Sequence, residues 1–217
     1  MRPTHSLPRA LVLLALDTSA GAIRPGLHYA LIAATLIECV WKGMLRREGE
    51  TLAIAGILPG GDPMLGEMLA LLRLHACGAE LRVQVQQLAH AAADLDGRVL
   101  ADFEREGIVR REQARERSIY QPARFALLRP QLQIELRADV RSAIRFASSP
   151  SDFMAALLAL LEVCDLLGLA LSPQEIRQAR ARLVGLRPAD ASTAWLIASV
   201  EQLFRDSEVL MLTAGQG

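Results

Sequence analysis

Apolar residues recur along this chain mostly at helical spacing, and only in short stretches at strand spacing. Ser6, followed by Pro8, marks the start of a first helix that runs to about Leu16, where Asp17 and Gly21 break it. Gly26 opens a second helix, LHYALIAATLIECVWKG, which is apolar nearly all round and so belongs in the middle of a bundle; Gly43 ends it. The stretch MLRREGETLAIAG then reads as a small β-hairpin turning at Glu48 to Glu50, and Asp62 with Pro63 begins a third helix after the loop LPGGDP. Leu81, Val85, Leu88, Ala92 and Leu95 keep a 4,3,4,3 spacing with Gln84, Gln86, Gln87 and His90 between them, which predicts one amphipathic helix with its apolar stripe on the core. A shorter helix carries Val99, Leu100 and Phe103 to Gly107, and strands follow near Ile108 to Arg111 and Arg124 to Leu128. Helices are then predicted through Leu132, Leu136, Val140 and Ile144, over Asp152 to Leu167, over Pro173 to Val184 behind a Ser172/Glu175 cap, and over Ala189 to Phe204.

Composition agrees with this pattern. The chain has 217 residues, 52% of them hydrophobic and only 4% aromatic, so its core rests on Leu and Ala faces rather than on sheet-filling side chains. The fold class is mostly α: a helical bundle with one or two small β-hairpins. No internal repeat and no linker rich in Gly, Ser or Pro divides the chain, which predicts a single domain over residues 1–217 with an ordered core over about 6–205. The longest uncharged apolar runs, residues 29–37 and 153–161, are nine residues each, against the ~18 that cross a bilayer. Cys39, Cys77 and Cys164 are odd in number and form no CxxC, which favours a reducing, cytoplasmic setting in which they serve as small buried hydrophobes. Asp17 interrupts the apolar N-terminal stretch and no small-residue cleavage site follows, which argues against a signal peptide.

Familiar catalytic patterns are missing. The four histidines make no HExxH, and His75 with Cys77 supplies at most half a zinc site. The loop PGGDP lacks the GK[ST] that cradles phosphate, and neither GxSxG nor GxGxxG occurs. Glu38, on the apolar second helix, reads either as a proton-transfer group or as a carboxylate held by a backbone or arginine partner. The sequence therefore implies no enzyme, no metal and no cofactor.

Charge is where the chain departs from the ordinary. Its formal net charge is zero, yet from Arg105 to Arg145 ten arginines stand against Glu106, Glu112, Glu116, Glu135 and Asp139, so this middle part is +5 and the remainder −5. Within it, GIVRREQARERSIYQPARFALLRP (residues 107–130) holds Arg110, Arg111, Arg115, Arg117 and Arg124 around an apolar pair, Ile119 and Tyr120. Its net +4 is worth at most ~4 kcal/mol at an anionic membrane, at roughly 1 kcal/mol per basic residue before salt screening. Burial of Ile119 and Tyr120 among headgroups would add ~2 kcal/mol. The other reading is a solvated loop whose apolar pair folds back on the body. Farther on, Arg137, Arg141 and Arg145 form a ridge spaced by four with no acids at the supporting positions, and like charges at that spacing oppose the helix by a few tenths of a kcal/mol per pair. Either carboxylates from a neighbouring helix neutralise this ridge or it is an anion site. Zero net charge, with only Tyr120 and Phe125 as aromatic residues among the basic ones, argues against nucleic acid as the partner.

Several of these segments, in this order, resemble the Golgi phosphoprotein 3 family in its shorter prokaryotic form. They are LLALDTSAGAIRPG, ALIAATLIECVWKGML, RVLADFEREGIVRRE, the arginine-rich hairpin and the closing apolar helices, together spanning about Leu7 to Phe204. The most specific marks are LIECVWKGML (residues 36–45) and EGIV (residues 106–109). The resemblance implies an all-α bundle wrapped by amphipathic helices with a projecting hairpin. It further implies a peripheral lipid-binding or adaptor protein on the inner face of a membrane, with anionic phospholipid, phosphatidylinositol 4-phosphate in eukaryotic members, as the partner. Protein tails, or self-association through the hairpin without lipid, are the alternative it implies. The family's headgroup pocket uses a tryptophan and three arginines. Alignment without gaps on Glu38 and Gly107 puts Ile23, Ile32, Ala93 and Asp96 at those four places, with Arg24 and Arg98 the nearest arginines.

Overall fold

The computed structural model describes residues 6–16, 25–56, 62–112, 125–146 and 150–214. Among them the order is α1 (Leu7–Ala15), α2 (Pro25–Trp41), β1 (Leu45–Glu48), β2 (Thr51–Ile54), α3 (Pro63–His75), α4 (Leu81–Ala91), α5 (Leu95–Arg105), β3 (Val109–Arg111), β4 (Phe125–Leu127), α6 (Pro130–Phe146), α7 (Asp152–Val163), α8 (Pro173–Leu183) and α9 (Ala191–Ala214), with 3-10 turns at Leu167–Leu169 and Val184–Leu186. The strands form two separate antiparallel pairs, β1 with β2 and β3 with β4. This is the mostly helical fold with small hairpins that the pattern predicts.

Helix α2 is the axis of the bundle. Leu27, residues 30–34, Leu36, Ile37 and Cys39 are all buried, and the helix touches α1, α3, α4, α5, α7 and α9. A helix that is apolar all round has no face to give to water, so the others pack around it. Gly26 lets its first turn meet the end of α7: a β-carbon there would collide with the Cys164 carbonyl. The other mostly apolar helix, α7, buries every residue from Ala155 to Leu161.

Three helices end in the same way. After α2, Gly43 (φ 68°) donates its N–H to Val40 O and Met44 donates to Cys39 O. After α5, Gly107 (φ 68°) donates to Glu104 O and Ile108 to Phe103 O. After α7, Asp165 (φ 53°) donates to Glu162 O and Leu166 to Leu161 O. Each is a Schellman cap, in which a left-handed residue turns the chain and satisfies two otherwise unpaired carbonyls. Both hairpins leave directly from such a cap.

Buried polar side chains account for several departures from the sequence pattern. Gln84 does not face out: it is fully buried, its Oε1 accepts the Leu52 N–H at 2.9 Å, and its Nε2 donates to Leu52 O at 3.0 Å and Ala76 O at 3.1 Å. One carboxamide thus takes the place of a strand beside β2. Gln133 likewise donates to Leu13 O and Leu16 O, at 2.7 and 2.8 Å, and holds the end of α1. The predicted Ser6 cap is replaced from another helix: Ser6 is the N-cap by backbone only, and Glu38 Oε1 accepts the Leu7 N–H at 2.6 Å. The helix expected to continue from Leu81 through Leu95 breaks after Ala91, and Leu95 starts α5. The helix expected to reach Leu167 stops at Val163, where Asp165 turns left-handed, and Cys77 is exposed while Cys39 and Cys164 are buried.

Candidate anion-binding surface

The second hairpin begins where the Schellman cap of α5 turns the chain at Gly107. Ile108 and Val109 are buried and anchor its base, and Ile108 O accepts the N–H groups of Leu128 and Arg129 at 2.8 and 3.3 Å. The register pairs Val109 with Leu127, Arg110 with Ala126 and Arg111 with Phe125. Both arginines are exposed, on opposite faces of the strand because successive side chains alternate. The Arg111 guanidinium lies 5.5 Å from the centre of the Phe125 ring, and its backbone N–H donates to Glu104 Oε1 at 3.2 Å. Among the described residues no carboxylate pairs with the Arg110, Arg111 or Arg129 guanidinium. Arg115, Arg117, Ile119, Tyr120 and Arg124 lie outside the described residues. Leu128, next to Arg129 in sequence, and Ile134 on α6 are about half exposed, at 48% and 56%.

Arg141 and Arg145 are brought together on α6, facing α8 rather than the hairpin. Arg141 Nε lies 3.2 Å and Arg145 Nη2 3.3 Å from the same oxygen, Glu175 Oε1. The ridge's first arginine, Arg137, instead donates from Nε to the Leu169 carbonyl at 3.0 Å. Glu175 closes a capping box with Ser172, whose N–H and hydroxyl both reach Oε2 at 2.9 Å. Those two bonds from Ser172, with Arg141 and Arg145 adding to them, hold its carboxyl below the ordinary glutamate value. A third arginine, Arg182, reaches the site from the far end of α8 and donates from Nη1 to the Arg145 carbonyl. Sequence spacing gives no sign of it, because the two residues are 37 apart.

The residues weighed for chemistry sit elsewhere, and Glu38 among them is engaged structurally. Glu38 is buried, which pushes its carboxyl above the ordinary value, while the Leu7 N–H and Lys42 pull it down. Lys42 Nζ stands 3.9 Å from Glu38 and 3.7 Å from Asp62. His75 and Cys77 are both exposed, and among the described residues no three His, Cys, Asp or Glu side chains are grouped to hold a metal. Where the resemblance would put headgroup ligands, Ile32 is fully buried in the core, Ala93 is exposed, and Arg98 is ion-paired with Glu67.

A family model described as Golgi phosphoprotein 3 matches residues 7–206. The chain belongs to the Golgi phosphoprotein 3 family. No curated protein matches it. Membership associates the chain with a family of membrane and protein interactions, one not known for enzymes. Among the described residues no helix is long and apolar enough to cross a membrane, which is compatible with the peripheral association of the family.

Proposed function

We propose that this chain is a non-enzymatic, cytoplasmic, peripheral membrane protein that docks its basic β3–β4 hairpin on anionic phospholipid. The observation that carries this reading is that Arg110 and Arg111, one on each face of β3 at the buried base of the hairpin, are exposed and have no carboxylate partner for their guanidinium groups among the described residues. They continue in sequence into Arg115, Arg117 and Arg124, with Ile119 and Tyr120 between them as an apolar anchor. Surface attraction of ~1 kcal/mol per basic residue is weak and reversible, so attachment of this kind requires the second, apolar signal. Recognition rests on the charge of the surface and on this anchor, because the four positions where the resemblance would put the family's headgroup pocket hold Ile23, Ile32, Ala93 and Asp96 here.

Co-sedimentation with vesicles tests the reading. The intact chain should pellet with vesicles of phosphatidylcholine and phosphatidylserine at low salt, and stay in solution with phosphatidylcholine alone. Equal recovery with the two would remove it. A mass in free solution that rises with concentration, and falls back on deletion of Ile119 and Tyr120, would move the hairpin's role to binding a second copy of this chain.

A further inference from the structure

We propose that the cleft between α6 and α8 is a separate binding site for a phosphate-class dianion. The cleft has a volume of about 200 Å3 and is lined by Arg141, Ile144, Arg145, Leu171, Glu175 and Arg182, among others. That is below the roughly 300–1,000 Å3 of drug-sized sites and suits a single small anion. Its charge does not balance: three guanidinium groups face one carboxylate, an excess of +2.

Glu175 is largely engaged. A carboxylate accepts about four hydrogen bonds; Ser172 supplies two to Oε2, Arg145 one to Oε1, and Arg141 stands beside Oε1 as an ion pair. Those two arginine contacts, at 3.2 and 3.3 Å, are longer than the 2.7–2.9 Å of a tight charge-assisted bond. The guanidinium groups are therefore gathered but not clamped. Each carries five N–H donors; among the described residues Arg145 and Arg182 each commit one to a hydrogen bond and Arg141 meets Glu175 as an ion pair, which leaves the other donors for an incoming acceptor. Beneath them Ile144 and Leu171, each 6% exposed, close the floor against water. A tetrahedral dianion with several acceptor oxygens supplies what the cleft lacks, and it removes the repulsion between Arg141 and Arg145, one helical turn apart. A phosphate monoester in solution and a phosphomonoester lipid headgroup share this chemistry.

The test is titration of the intact chain with inorganic phosphate at constant ionic strength, followed by calorimetry. Saturable binding is expected for the native chain, weakened on the order of tenfold in the double variant Arg141→Gln, Arg145→Gln. It should tighten about threefold in Glu175→Gln, which removes the competing charge while glutamine keeps the capping box. Helicity by circular dichroism shows that each variant is folded. The hairpin variant Arg110→Gln, Arg111→Gln should bind phosphate as the native chain does, so the cleft stands or falls apart from membrane docking. Vesicles of phosphatidic acid then separate the sources: recovery lost with the α6 double variant assigns the headgroup, and recovery unchanged while phosphate binding is lost assigns a soluble anion. Absence of saturable binding, equal affinity in Glu175→Gln and the α6 variant, or equal competition by chloride would overturn the proposal.

Discussion

Two hairpins leave this bundle from the same kind of helix end and differ in what is done with their charge. Gly43 and Gly107 share φ 68° and the same pair of cap bonds, and each hands the chain to a short antiparallel ribbon. In β1–β2 the charges are matched at home: Arg46 bonds Glu48 at 2.7 Å, Arg47 bonds Glu50 at 3.1 Å, and the Arg47 guanidinium rests 4.4 Å from the centre of the Trp195 ring. Its free edge is closed by Gln84, and Glu50 O accepts the Leu81 N–H at 2.7 Å. In β3–β4 the base is likewise buried, but the Arg110 guanidinium has no carboxylate among the described residues and the Arg111 guanidinium has only a ring. The launching geometry therefore says nothing about role. What separates a ribbon that braces the fold from one that can meet a partner is whether its cations already have counter-charges.

Substitutions can break that contrast at either ribbon. Gln84→Leu should have the largest effect, because it leaves the Leu52 N–H and carbonyl buried without partners, while the Ala76 carbonyl keeps the Ala79 N–H. At ~1–3 kcal/mol per orphaned group, a loss of about 2 kcal/mol or more is expected in urea denaturation. Next comes Arg110→Gln with Arg111→Gln: stability should hold within about 0.5 kcal/mol, while binding to anionic vesicles falls by ~2 kcal/mol, roughly thirtyfold. Gly43→Ala and Gly107→Ala should each cost about 1–2 kcal/mol and cost alike, since both residues sit in the left-handed region. For Gly43 that cost is purely conformational, because nothing lies within 4 Å of an added β-carbon. Arg47→Ala should be smallest, at most ~1 kcal/mol, because its ion pair is exposed and its contact with Trp195 is at the surface.

The end of α2 that launches the first hairpin also carries a pH signature. Burial raises Glu38 above the ordinary value of 4.5, so the folded chain holds that proton more tightly than the unfolded chain does. The associated stability is complete below about pH 4.5 and is lost as pH rises through the folded value. Glu38→Gln, whose carbonyl can still accept the Leu7 N–H, should flatten this part of the pH profile of the melting temperature. Glu175 has the opposite sign: its lowered value gives stability that is present above the ordinary glutamate range and lost as pH falls.

Much of the fold was legible because periodicity and capping act locally. The all-round apolar stretch named α2 as the axis, Gly43 and Gly107 named their turns, and Ser172 with Glu175 named the start of α8. What escaped depends on partners distant in sequence. Gln84 and Gln133 look like surface residues until a backbone 32 or 120 residues away presents the groups they satisfy. The same holds at the arginines: spacing identified the α6 ridge, but only packing shows that Arg137 serves a carbonyl while Arg141 and Arg145 share Glu175 with Arg182 nearby. Helix ends at Ala91 and Val163 were missed because nothing apolar in the stripe changes there; the stripe runs on across the break.

Amide hydrogen exchange of the intact chain, with and without vesicles containing phosphatidylserine, tests the central claim most directly. The account predicts slowed exchange across residues 109–127 on the vesicles and unchanged exchange in β1–β2. Protection of β1–β2 in place of the second hairpin, or binding to the vesicles with no change anywhere in residues 109–127, would contradict it.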